Sequence, residues 1–145
     1  MSRNSPEQIR EILETVRTIA LVGASEKTNR PSHEVMENLQ GHGYRVIPVN
    51  PRLAGQEILG ETVYADLASL PEPVDMADLF LAPERTDAVI DQAIEQKSPV
   101  LWLQIGVINE DGAARAEAAG LKVVMDRCPK QEIPKLGIAT PPSGR

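Results

Sequence analysis

Cysteine and aromatic residues are scarce in this sequence. A single cysteine, Cys128, stands among 145 residues, so no disulfide can close within the chain. Aromatic side chains make up 3%, while Val, Ile, Leu and Ala are plentiful. That balance suits a parallel sheet covered by helices better than a sandwich or a barrel. No apolar run is long enough to cross a bilayer and no leader-like segment is recognisable. With the unpaired cysteine, these absences set the expectation of a cytoplasmic protein without a membrane partner. A metal-ligand cluster is missing too: His33 and His42 fall on one polar helix with no cysteine nearby, and both are read as solvated surface side chains. An excess of positive charge is also absent. The net charge of −6 argues against nucleic acid as a partner, yet a helix dipole and a few cations can still build a positive pocket for a small anion.

What is present is organised around Thr18-Ile-Ala-Leu-Val-Gly-Ala-Ser-Glu-Lys-Thr-Asn-Arg-Pro31. Ile19 to Val22 read as a fully buried strand, Gly23 permits a sharp turn beside a ligand, and Pro31 suits the first turn of a helix. The helix is expected to start close to the turn. Unpaired N–H groups at such a start, with the positive end of the helix dipole, attract phosphate, and Lys27 and Arg30 add charge beside them.

The rest of the chain repeats the pattern. Ser5-Pro6-Glu7-Gln8 opens an amphipathic helix as a capping box, with Ile9, Ile12, Leu13 and Val16 on one face. After a helix from Pro31 to His42, a second strand runs from Tyr44 to Val49 and leaves through Asn50-Pro51-Arg52. Domains that bind NAD place a carboxylate at this exit for the ribose hydroxyls. Asn50 and Arg52 stand there instead, a pairing that accommodates an additional phosphate. A long connection from Leu53 to Pro73, with a short helix near Asp66 to Leu70, leads to a third strand, Met76 to Ala82. Helices from Thr86 and after Asn109 flank a fourth strand, Pro99 to Gln104, and Leu121 to Met125 make the fifth.

Five apolar strands alternating with helices predict a single-domain α/β protein: a Rossmann-like, doubly wound parallel sheet, strand order 3-2-1-4-5, with helices on both faces. The domain is expected over 1–137, followed by a disordered tail over 138–145. Three strand exits should face one crevice at the carboxyl edge, namely Gly23 to Arg30, Leu81 to Pro83 and Gln104 to Gly106.

The motifs Val-Gly-Ala-Ser, Arg-Pro-Ser, Pro-Val-Asn-Pro, Trp-Leu-Gln-x-Gly and Asp-Arg-Cys-Pro, taken together, resemble the CoA-binding protein family. These small single-domain proteins are similar to the CoA-binding domain of the succinyl-CoA synthetase alpha subunit. The resemblance runs from about Thr15 to Leu136 and implies coenzyme A as the ligand. By position it implies that Gly23, Ala24, Ser25 and Lys27 line a phosphate loop, with Arg30 beside it. Asn50, Pro51 and Arg52 would flank the adenosine end, Arg52 meeting the ribose phosphate. Leu81, Ala82 and Pro83 would pack on the nucleotide, and Gln104, Ile105 and Gly106 would edge the pantetheine path. Family members usually carry Phe-Arg at the end of the third strand, where this chain has Phe80-Leu81. The synthetase subunit transfers phosphoryl groups with a histidine in a separate domain, which this sequence lacks.

No Ser/His/Asp arrangement or carboxylate pair falls in the crevice, so the leading expectation is a CoA-binding module without catalysis of its own. An NADP-dependent oxidoreductase and a protein-interaction subunit with a decayed nucleotide crevice are the alternatives. Cys128 is the candidate reactive thiol, on the expectation that Arg127, Lys130 and a helix start lower its pKa.

Overall fold

The computed structural model describes residues 3–139. Ser5 caps the first helix, α1 (Pro6–Thr15), by accepting from the Gln8 N–H. The Gln8 side chain does not complete the expected capping box. It is buried and donates to the Val123 carbonyl at 3.2 Å, tying α1 to the last strand. Strand β1 (Thr18–Val22), helix α2 (Pro31–Gly41) and strand β2 (Arg45–Val49) follow. The connection after β2 holds a small antiparallel hairpin, β3 (Glu57–Ile58) and β4 (Glu61–Thr62), and a single 3-10 turn, Leu67–Ser69, capped by Asp66. Then come β5 (Met76–Leu79), α3 (Thr86–Glu95), β6 (Val100–Leu103), α4 (Glu110–Ala118), β7 (Lys122–Met125) and α5 (Pro129–Leu136).

The five longer strands form one parallel sheet in the order β2-β1-β5-β6-β7. The parallel α/β sheet is the predicted one, but its strand order is not. Counting these five in chain order, the arrangement is 2-1-3-4-5, not 3-2-1-4-5. The reason lies at the outer edge of β2. Pro48, at the fourth of its five positions, has no N–H, and its carbonyl turns outward to accept from Tyr64 N–H at 3.0 Å, while Asn50 N–H donates to the Tyr64 carbonyl at 2.9 Å. A proline with its donor side outward marks an edge strand. The hairpin segment covers that edge, and β5 crosses over to pair with β1 instead.

Alternation of side chains gives the sheet two buried faces. Ile19, Leu21, Met76, Trp102 and Val124 pack beneath α1, α2 and α5. Ala20, Val22, Ala77, Leu79, Leu101 and Leu103 pack beneath α3 and α4. Gly137, in the left-handed conformation, ends α5. Ile138, placed by the sequence reading in the tail, is buried in the core and its N–H bonds back to Ile133. Residues 140–145 of that tail lie outside the described residues. His33 also departs from expectation: it is 8% exposed, because the first turn of α2 packs inward instead of facing water.

Candidate functional site

Where the strand order reverses, between β1 and β5, the chain opens a cleft at the carboxyl edge of the sheet, the place where open α/β sheets bind ligands. Its geometry depends on Gly23. The residue has φ +92°, and a Cβ placed there would lie 2.2 Å from the Phe80 carbonyl oxygen. Only glycine lets the β1 exit pass so close to the β5 exit.

The turn does not cradle an anion in the way the sequence suggested. The N–H groups of Gly23 and Ala24 both donate to the Val49 carbonyl, at 2.9 and 3.2 Å, which joins the exits of β1 and β2. Lys27 N–H donates to Ser25 Oγ at 3.1 Å. Helix α2 starts only at Pro31, after an intervening loop. The N–H groups of Ser25, Glu26 and Ser32 have no acceptor among the described residues, and all three residues line the cleft. Free donors therefore come from the loop beyond Gly23 and from the first turn of α2, not from the glycine itself.

Asn50 has a structural role that explains why no carboxylate stands at the β2 exit. Its Nδ2 donates to the Ala24 carbonyl at 2.9 Å and its Oδ1 accepts from Arg52 N–H at 2.9 Å. An aspartate would set its charge against the Ala24 carbonyl and open the joint.

The cleft has a volume of about 1000 Å³, at the upper end for small-molecule sites. Gly23, Ala24, Ser25, Lys27, Arg30, Asn50, Pro51, Arg52, Leu81 and Ala82 all line it, as the sequence led us to expect, but Pro83 does not. Pro83 is taken up in opening the 3-10 turn Pro83–Arg85. That turn brings in a cation the sequence reading missed. Arg85 lines the cleft together with Leu81, so the wall that lacks an arginine after Phe80 carries one from the following turn. Its position in a strand exit was the available signal.

Charge is sorted across the molecule. Arg3, Arg10, Arg45, Arg115 and Lys122 are paired with carboxylates away from the cleft. Lys27, Arg30, Arg52 and Arg85, all in the cleft, have no carboxylate partner among the described residues. Two carboxylates share the site, Glu26 and Asp66, and Asp66 is engaged in capping by accepting from Ser69 N–H at 2.9 Å. The cleft is thus cationic in a chain whose net charge is −6. Unpaired cations held close together favour a polyanion.

The third predicted exit lies on a second cavity of about 470 Å³. Gln104 and Ile105 line it; Gly106 does not, its N–H being used to donate to Asp126 Oδ1 at 2.8 Å. The two cavities share Pro31, Phe80 and Leu81. Cys128 also lines the second cavity, but its environment differs from the expected one. It is 7% exposed, and burial pushes its thiol pKa up, only partly opposed by the Lys130 and Gln131 N–H groups. The Arg127 guanidinium turns to the Asp126 carbonyl at 2.9 Å. At neutral pH the thiol is therefore protonated.

Beside this cavity lies a group that the sequence reading passed over. Asp78 sits in β5 opposite Leu21 and Trp102 and is completely buried. Gln104 Nε2 donates to its Oδ1 at 2.7 Å, while Oδ2 has no partner. Desolvation pushes its pKa up to about 7, against the opposing effect of the Gln104 bond. No group of three or more His, Cys, Asp or Glu placed to hold a metal occurs among the described residues.

Residues 17–134 match the CoA binding domain family. The chain belongs to that family. Relatives of this CoA-binding domain include YneT of Bacillus subtilis, 35% identical over 90% of this chain and 95% of that protein. They also include the alpha subunit of an ADP-forming acetate–CoA ligase from Pyrococcus furiosus, 28% identical over 70% of this chain. The matched part is 24% of that subunit's length. Among solved structures, a protein from Pyrococcus horikoshii superposes with a TM-score of 0.87 at 37% identity, covering 94% of this chain and 96% of that one.

Proposed function

We propose that this CoA-binding domain holds coenzyme A, free or acylated, in the cationic cleft and performs no bond-making step with its own residues. The observation that carries the reading is that four cations without a carboxylate partner among the described residues, Lys27, Arg30, Arg52 and Arg85, line one cleft together with the free N–H groups of Ser25, Glu26 and Ser32. CoA offers a pyrophosphate for those donors, a ribose phosphate for a guanidinium, and an adenine for the apolar surface of Leu53 and Leu67. The name of the Pyrococcus ligase subunit, which includes CoA as a substrate, adds support. A chain whose one cysteine is buried and unpaired also suits the reducing cytoplasm. No helix among the described residues is long and apolar enough to cross a membrane.

A thermal-shift comparison tests the proposal, since a ligand that binds only the folded state raises its melting temperature. CoA is expected to raise it, and NAD to leave it unchanged. A larger rise with NADP than with CoA would favour a dinucleotide enzyme instead. In the same assay Ser25→Glu is expected to weaken CoA binding at least about tenfold while leaving the fold intact, because a carboxylate would enter the space meant for the pyrophosphate. Binding equal to the parent's would move the phosphate off this loop.

Arg52 gives a second, separable test. It is exposed at the β2 exit, where a guanidinium can meet a ribose phosphate. Calorimetry is expected to show the parent preferring CoA over dephospho-CoA by about tenfold, the value of one charge-assisted contact, and Arg52→Ala losing most of that preference. Equal affinities in the parent would remove this contact.

A further inference from the structure

A carboxyl group in the middle of a parallel sheet lowers the stability of a fold that an uncharged side chain would suit better. Asp78 is 0% exposed between Leu21 and Trp102, and its Oδ2 has no partner. The indole N–H of Trp102 is spent on the Arg127 carbonyl at 2.8 Å. Packing does not account for an unpaired oxygen in the core. What Asp78 does hold is Gln104, whose Nε2 donates to Oδ1 at 2.7 Å in a buried bond.

That bond decides which end of the Gln104 amide faces outward. A carboxylate accepts hydrogen bonds and has no proton to give, so the amide turns its NH2 toward Asp78 and its Oε1 away. No donor among the described residues reaches Oε1. The sealed side-chain atoms without a partner are Asn38 Oδ1 and Asp78 Oδ2. Gln104 Oε1 is not one of them, so it opens on the cavity that Gln104 lines. The main-chain carbonyl of Gln104 is already taken by Val107 N–H at 2.9 Å. Gln104 therefore offers this cavity an acceptor whose orientation is fixed from behind.

We infer that Asp78 is a positioning residue for ligand recognition: it holds Gln104 so that Oε1 accepts an N–H from the ligand, and the group recognised is a secondary amide. The inference rests on CoA occupying the cleft, as proposed above. In CoA the arm between the pyrophosphate and the thiol carries secondary amides, and the family resemblance leads that arm along Gln104 and Ile105. An amide N–H that leaves water needs an acceptor. A Gln104 free to turn would as readily meet it with its own NH2, two donors facing each other.

Calorimetry at pH 8, above the Asp78 carboxyl value of about 7, compares CoA with adenosine 3′,5′-bisphosphate, which keeps the ribose phosphate and lacks the arm. The parent is expected to bind CoA the more tightly. Asp78→Leu removes the acceptor for Gln104 and should weaken CoA about tenfold, the value of one hydrogen bond lost with its partner left unpaired, while the bisphosphate is unaffected. Asp78→Asn keeps an acceptor and should recover most of the CoA affinity. Gln104→Met should weaken CoA by the same factor, and the double variant Asp78→Leu/Gln104→Met should lose no more than either alone, because Asp78 acts through Gln104. Melting temperatures check that each variant is folded; should Asp78→Leu not fold, the smaller Asp78→Ala takes its place in every comparison. An equal loss of both ligands in the Asp78 variant, an unchanged CoA affinity there, or additive losses in the double variant overturns the inference and leaves the cleft reading standing. Parent protein that binds neither ligand overturns both.

Discussion

Gly23→Ala is expected to lower the melting temperature by about 10 °C and to weaken ligand binding with it. The added Cβ would stand 2.2 Å from the Phe80 oxygen and 2.9 Å from its carbonyl carbon, both backbone atoms that cannot swing aside. A left-handed φ of +92° adds strain for any side chain. Together the clash and the strain cost about 3 kcal/mol, which in a domain of this size corresponds to the stated shift. Relief requires β1 and β5 to part at their carboxyl ends, where the cleft begins. Gly41 provides the control. It lies at the end of α2 with nothing within 4 Å of a built Cβ, so Gly41→Ala should keep or slightly raise stability. Circular dichroism melts of the two variants decide the matter. Equal melting temperatures would mean that the approach of the two strand exits is not as close as described.

Asp78→Asn is expected to stabilise the protein above neutral pH, by an amount that grows as the pH rises from about 4 to 7. The ordinary carboxyl value of 3.8 is raised to about 7 by burial. Between those values the folded state keeps a proton that the unfolded state has released. Stability therefore falls as pH rises through this window, because the unfolded state then binds fewer protons. The full penalty above it is about 4 kcal/mol on the shift alone. Asparagine keeps the acceptor for Gln104 and carries no charge, so the decline should disappear from the variant. Other groups titrate in the opposite sense: Glu117, held below its usual range by its bond to Arg3, contributes stability that is lost as pH falls. The difference between variant and parent isolates Asp78. Urea unfolding at pH 5 and pH 8 measures it. Equal differences at both values would mean that water or a neighbouring proton donor reaches Oδ2.

The burial of Asp78 was not readable in the chain. Met76-Ala-Asp-Leu-Phe reads as a strand, and an aspartate within it looks like a mild flaw until the register places it between Leu21 and Trp102. Pro48 is the contrary case. A proline inside a strand already implies an edge, which was enough to reject the order 3-2-1-4-5 without coordinates.

What the sequence determined by itself is local. Apolar runs of strand length, alternating with amphipathic helices, specify a parallel α/β sheet, because each element must bury a face of a known period. Gly23, Pro31 and Asn109 mark a turn and helix starts through their own backbone and capping chemistry, and the structure uses each of them in that way. The exits of β1 and β2 and the turn after β5 were identifiable as a shared edge because parallel strands all present their carboxyl ends on one side. Tertiary structure decided what depends on neighbours distant in sequence. Gly23 and Ala24 turn out to bind Val49 and not an anion. Arg85 reaches the cleft and Pro83 does not. Cys128 is pushed toward its neutral form by burial, although its immediate neighbours Arg127 and Lys130 suggested the reverse. Backbone donors are taken up by whichever strand exit packs beside them, and a thiol's charge depends on the water excluded around it. Both are set by which strand exits and helices the fold brings side by side, which no residue specifies alone.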